Sequence, residues 1–374
     1  MIRYDARSGG AIADAVHVTS DWLSTDLSGK VIWNDQVGQV DLEGPSQIAM
    51  DVVAERLSGL LGQPIELAGT QQSPLKIAVD RQTDGSLAMG ITTDLGWQRG
   101  SIAGVQLGKS LVPIRLTETT VFVERSAIPI GNGRLNVAGE VHYRPGPLWF
   151  EQQPGRFAEN IELRPEMTRT WLKYLAPLAA DVSEIAGTFN VELDEALVVV
   201  DDLNRSRVSG RMQIQHAQMD AGPLAQQVLT TVDTVKSLAR GLQGPRQPNG
   251  SRRLVTLEPQ TVDFALQNGV VTHQRLFMTI DSARLVTSGA VGLNGQLDLL
   301  AQLPLQASWL GSDLQGLAGQ NVSLPIRGTL ARPRLDSSGI AQMAQQLGSQ
   351  AVRQTAENVL QEQLNRGMQR LFGR

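Results

Sequence analysis

Ala283-Arg284-Leu285-Val286-Thr287-Ser288-Gly289-Ala290-Val291-Gly292-Leu293-Asn294-Gly295-Gln296-Leu297-Asp298-Leu299 alternates along its whole length. The odd positions from Ala283 to Leu299 are mostly apolar, and the even positions include Arg284, Ser288, Asn294, Gln296 and Asp298. Successive side chains of a strand point to opposite faces, so this pattern gives one apolar and one polar face. Strands usually run about 5–6 residues. The stretch is therefore either a long hairpin or one very long, curved strand, with Gly289, Gly292 and Gly295 as places to bend or turn. A sheet of long, one-sided strands makes a surface or a groove rather than a catalytic pocket.

The same alternation recurs upstream. Leu135, Val137, Gly139, Val141 and Tyr143 oppose Arg134, Asn136, Ala138, Glu140 and His142. Val208, Gly210, Met212 and Ile214 oppose Ser209, Arg211, Gln213 and Gln215, and Phe189, Val191 and Leu193 oppose Asn190, Glu192 and Asp194. Each of these segments is expected as a strand. Gly139, Gly210 and Gly289 sit in similar small-Gly-polar-apolar contexts, 71 and 79 residues apart. That spacing suits a repeated β-unit adding strands to a growing sheet, with chance similarity among glycine-containing strands as the alternative.

Helical spacing appears in fewer places. Ser46–Leu61 carries Ile48, Val52, Val53, Leu57, Leu60 and Leu61 on one side, with Ser46 as N-cap. Met167–Ala180 presents Trp171, Leu172, Leu175 and Leu178, and Pro177 should kink or end it. Pro223–Leu242 starts with proline in its first turn and repeats Leu224, Val228, Val232, Val235 and Leu238. Gly241–Arg253 reads as a flexible connection. Ser337–Phe372 lacks proline and carries an apolar stripe (Ile340, Ala344, Leu347, Ala351, Val359, Leu364, Met368 and Leu371) among glutamines. It is expected as one or two amphipathic helices that cover the open end of the sheet or dock a membrane surface or partner. Over 337–374, four arginines against two glutamates are a weak basis for binding anionic lipid.

Composition narrows the possibilities. The chain has 374 residues, 41% hydrophobic and 19% charged, which is folded protein. A net charge of −4 with no Lys/Arg block gives no reason to expect nucleic acid as a partner. The absence of cysteine removes disulfides, thiolate metal sites and Cys nucleophiles together. No run approaches the ~18 apolar residues of a membrane-spanning helix, and Met1–Arg7 lacks the apolar core of a signal peptide.

No motif points to catalysis, a cofactor or a metal. His17, His142, His216 and His273 are scattered without metal-ligand spacing, and His142 and His216 fall on the polar sides of strands. Ala103-Gly104-Val105-Gln106-Leu107-Gly108-Lys109-Ser110 fits a relaxed P-loop, which would make Lys109 a nucleotide ligand. A P-loop, however, leads directly into a helix, and Leu111-Val112-Pro113-Ile114-Arg115-Leu116 reads as a strand. Gly131-Asn132-Gly133 reads as a hairpin turn. Asp194, Glu195, Asp201 and Asp202 flank the Ala196–Val200 apolar run and read as solvated loop ends.

Gly289-Ala290-Val291, Leu297-Asp298-Leu299, then Leu324-Pro325-Ile326-Arg327-Gly328-Thr329-Leu330 and Pro333, followed by a Gln-rich amphipathic segment, resemble the C-terminal region of AsmA-like proteins of the bacterial envelope. The resemblance covers about Leu254–Arg374, and Trp171-Leu172-Lys173-Tyr174 and Gly187–Leu193 are compatible with it. It implies an α+β, mostly β fold, in which a long curved antiparallel sheet forms a groove. A few amphipathic helices would pack on that sheet, and a C-terminal amphipathic helix would end the chain. The expected parts are a β-rich region with one helix over 1–160, an AsmA-like β region over 161–336 and the helical segment 337–374. The implied function is non-enzymatic binding or transfer of phospholipid or another acyl lipid, in outer-membrane lipid transport or assembly. Members typically carry an N-terminal membrane anchor, so a periplasmic, envelope-associated location with an anchor outside this chain is the expectation. The groove-lining candidates are Val137, Val141, Tyr143, Val208, Met212, Ile214, Leu285, Val291, Leu293, Leu297 and Leu299. The alternative is a scaffolding protein with a closed core, whose 337–374 segment contacts an envelope partner.

Overall fold

The computed structural model describes residues 2–5, 10–34, 37–239, 254–280, 283–310, 315 and 318–336. The connection at 241–253 and the C-terminal segment 337–374 lie outside the described residues. Strands follow one another almost without interruption. First come β1 (Ile2–Asp5), β2 (Gly10–Thr19), β3 (Leu23–Trp33) and β4 (Gly38–Ala49). Helix α1 (Met50–Leu61) precedes β5 (Ile65–Ala68), β6 (Thr70–Arg81), β7 (Leu87–Trp97), β8 (Arg99–Ile102), β9 (Val105–Leu107) and β10 (Ser110–Leu116). Next are β11 (Thr120–Ile130), β12 (Gly133–His142), β13 (Trp149–Gln152) and β14 (Gly155–Glu162), then helices α2 (Pro165–Thr170) and α3 (Leu172–Leu175) and a 3-10 turn over Pro177–Ala179. β15 (Ile185–Val199) and β16 (Arg207–Asp220) lead to α4 (Pro223–Ala239). The last strands are β17 (Leu254–Leu257), β18 (Gln260–Gln267), β19 (Val270–Ile280), β20 (Ala283–Gly292), β21 (Gln296–Pro304), β22 (Asn321–Thr329) and β23 (Arg332–Leu335).

The registers define one antiparallel meander. From β1 to β4, then through β6, β7, β10, β11 and β12, each strand pairs with the next. β13 and β14 lie end to end between β12 and β15, and β17 and β18 lie end to end between β16 and β19. β19 to β23 complete the sheet, while β5, β8 and β9 form a small separate one. The protein is thus mostly β, as expected, and the main sheet runs unbroken through residue 160, within β14. Ala283–Leu299 is a hairpin: Gly295 N–H donates to the Gly292 carbonyl at 2.7 Å in the turn between β20 and β21.

The three glycines of the weak repeat share one geometry. A Cβ on Gly139, Gly210 or Gly289 would lie 2.0, 2.2 or 2.4 Å from the carbonyl oxygen of Glu151, Glu192 or Asp298. Each faces the residue just before a register shift: Val123, Leu193 and His273. Bulges raise local twist and press one backbone against the next, and only a hydrogen fits at these crossings. Gly29 is a fourth case, facing Ala13 before a shift, with Asp41 O 1.9 Å from its would-be Cβ.

The helices depart from the sequence reading at their ends. The first begins at Met50 rather than Ser46, because residues 46–49 complete the pairing of β4 with β6. Ser46 is buried and donates its hydroxyl hydrogen bond to the Ser73 carbonyl at 2.9 Å, so it caps nothing. The expected 167–180 helix is two short helices and a 3-10 turn, with Pro177 after the break. α4 follows the expected span as far as it is described, burying Leu224, Val228 and Val232. Lys109 lies just before strand β10, and Ala103–Gly104 form the turn from β8 to β9, so no helix follows the P-loop-like sequence.

All these helices join strands at one edge of the sheet and fill its inner face there. Met167, Leu172, Leu178, Val228 and Leu229 pack with Phe189, Met212, Leu276, Leu285 and Ile326 in one large core. A smaller core gathers Ile48, Met50, Trp97, Val112 and Ile128.

Candidate apolar groove

Below the helices the inner face continues to the opposite edge, where the links between strands are turns and short loops. There, registers join apolar side chains strand after strand. Val31 faces Val40, Val40 faces Val79 and Val79 faces Met89. One step along, Ile91 faces Leu116, Leu116 faces Val121, Val121 faces Val141, Val141 faces Phe150 and Phe150 faces Val198. Val208 faces Leu266, which faces Val271. Every one of these residues is half-buried: the sheet covers its base and leaves its tip accessible. From β3 to β19, at ~4.8 Å per strand, the strip is roughly 50 Å long.

The strip ends at β20. Val291, the partner of Val271, is 0% exposed. α3 packs on β19 and β20, and the Tyr174 hydroxyl reaches the Leu293 carbonyl at 3.4 Å, across the face to the turn edge. Under the helices the packing is close. A cavity of about 20 Å³, lined by Leu172, Leu175, Met212, Ile214 and Leu276 among others, has room for about one water.

The sequence-derived candidates divide accordingly. Val137, Val141 and Val208 are half-buried on the inner face, and Tyr143 is half-buried at the turn edge, donating its hydroxyl to the Thr117 carbonyl. Met212, Ile214, Leu285, Val291, Leu297 and Leu299 are buried beneath the helices. Leu293 lies in the β20–β21 turn. The members from β3 to β11 are additions from the structure. Their strands alternate in sequence too (Val40 and Leu42, Ile77 and Val79), but only the registers show that they continue the same face.

Among the described residues, charged side chains flank the strip from the outer face and the edges. Arg211 pairs with Glu192 at 3.2 Å and Arg134 with Glu159 at 2.9 Å on the outer face. His142, also outward, stacks on Trp149 at 3.7 Å and contacts Glu140 at 3.1 Å, and His216 is exposed. Among the described residues no His, Cys, Asp or Glu cluster is arranged as a metal site, and no helix is long and apolar enough to cross a membrane.

One polar side chain supports the strip from within the sheet. Where β13 gives way to β14, part of β12 loses its strand partner, and Gln152, 5% exposed, fills the gap. Its Oε1 accepts from Ala138 N–H at 3.3 Å and its Nε2 donates to the Asn136 carbonyl at 3.4 Å. Gln152→Ala should therefore cost about 1–3 kcal/mol by leaving buried backbone groups unpaired. Urea unfolding would show this as a lower midpoint, and an unchanged midpoint would mean that solvent reaches the gap.

Comparison with known proteins adds no relative: no protein-family profile, characterised protein or solved structure matches this chain.

Proposed function

We propose that this protein binds acyl lipid along the half-buried strip and acts as a non-enzymatic lipid-binding or lipid-transfer module of the bacterial cell envelope. The observation that carries the reading is the run of half-buried apolar side chains from Val31 to Val271, joined by register across most of the strands, with no helix over it among the described residues. Contiguous apolar surface of this kind usually marks an interaction site. Covering one side of a ~16-carbon chain would contribute on the order of 6 kcal/mol, half of the ~0.8 kcal/mol per CH₂ of full burial. No single residue should dominate. The envelope location and the link to outer-membrane lipid transport or assembly rest on the AsmA-like resemblance of the last third of the chain.

The deep burial of Leu285, Val291 and Leu299 favours a structural role for the C-terminal part of the face, and a closed scaffold is the second reading for the whole protein. Mass spectrometry of organic extracts from detergent-free protein separates the two. Near-stoichiometric phospholipid is expected; a stable protein that neither carries lipid nor takes it up from vesicles would give the scaffold the lead.

A further inference from the structure

Two arginines stand at the turn edge of the strip with no carboxylate partner among the described residues. Arg81 and Trp33 continue the inward-facing series of Val79 and Val31. The Arg81 guanidinium lies 4.7 Å from the Trp33 ring centroid. Both pack over Gly38, where a Cβ would come within 3.0 Å of Arg81 Cβ and 3.3 Å of Trp33 Cζ3, so the glycine makes room for the pair. Arg81 also donates to the Asn34 carbonyl at 3.0 Å, while Trp33 keeps 46% of its surface exposed at the border between strip and water. Four strands further along, Arg144 follows Tyr143, which continues the series of Val141, and its guanidinium is 5.8 Å from the tyrosine ring centroid. Arg134, Arg207, Arg211 and Arg327 of the sheet are, by contrast, paired with carboxylates.

We infer that Arg81 and Arg144 are a phosphate-binding rim, each holding the anionic headgroup of a lipid whose acyl chains lie in the strip. The inference rests on the lipid-binding reading and adds the headgroup class. A guanidinium presents a planar fork that matches two phosphate oxygens, and an aromatic ring against it limits the freedom lost on binding. The two positions are ~19 Å apart along the sheet, enough for two lipids side by side.

The test offers the full chain vesicles of equimolar phosphatidylglycerol and phosphatidylcholine with matched acyl chains, then measures the ratio in the extracted protein. Phosphatidylglycerol should be enriched about fivefold, the effect of one basic group near a net-anionic headgroup, because the choline cation of phosphatidylcholine offsets its own phosphate. The Arg81→Gln/Arg144→Gln variant should carry as much total lipid with the enrichment gone. Arg115→Gln, which removes a guanidinium stacked 3.9 Å over Phe122 on the outer face, should keep it. Equal uptake of both lipids by the parent protein, or enrichment retained by the double variant, overturns the rim while leaving the strip intact. If no lipid is taken up, the strip reading fails, and titration with inorganic phosphate decides the rim. A thermal shift lost in the double variant would assign it to free phosphate, and no shift would overturn it.

Discussion

Val291→Glu is expected to be severely destabilised, whereas Val141→Glu is expected to give a folded protein that carries less lipid. The two valines are equivalent in sequence: each lies on the apolar side of an alternating segment, two residues after a glycine of the weak repeat. The fold makes them opposites. Val291 is 0% exposed, facing Val271 and Leu297. A carboxylate there is cut off from water, and an unpaired buried charge costs several kcal/mol even after relaxation. Domains are typically stable by ~5–15 kcal/mol, so most of the margin is lost. Val141 faces Val121 and Phe150 in the half-buried strip, where a carboxylate can turn to water at a cost of about 1 kcal/mol. Circular dichroism and the lipid content of purified protein read both effects. A well-folded Val291→Glu protein would show that the C-terminal face is open, and full lipid occupancy in Val141→Glu would remove the strip as the binding site.

Acid should weaken this protein through one histidine. His273 is 2% exposed on the inner face of β19, where its Nε2 meets the Thr287 hydroxyl at 3.1 Å and its Nδ1 has no hydrogen-bond partner. Burial pushes its pKa down from the ordinary 6.5 to about 4, against a smaller upward influence from Thr287. Between those two values the unfolded chain holds a proton that the folded chain refuses, so stability rises with pH across that window and is flat above it. As pH falls from 6.5 to 4 the loss should reach roughly 3 kcal/mol. Urea titrations at a series of pH values measure it, and His273→Leu should remove this slope while leaving that of the carboxylates. An identical pH profile in the variant would mean that the imidazole takes up its proton in the folded state.

Much of the sheet was legible because a strand's two-residue period is a local property. Phe189–Leu193, Val208–Ile214 and Leu135–Val141 fall where alternation puts them, and Gly131–Gly133 turns the chain between β11 and β12. Local signals misled where a longer-range interaction competed. Ser46 has the chemistry of a cap, but its hydroxyl serves the neighbouring strand. Three bulge glycines are visible as a faint repeat, and Gly29 joins them only through its contact with the Asp41 carbonyl in the next strand.

The sequence by itself determined a long antiparallel sheet with one apolar face, since alternation, glycine placement and turn residues act over a few neighbours. It could not say which part of that face is open. Leu285 and Val141 carry the same local pattern, but α3 and its neighbours lie over one, and among the described residues no helix lies over the other. That division depends on where segments more than a hundred residues apart meet, as when Tyr174 reaches Leu293, and only the tertiary structure decided it.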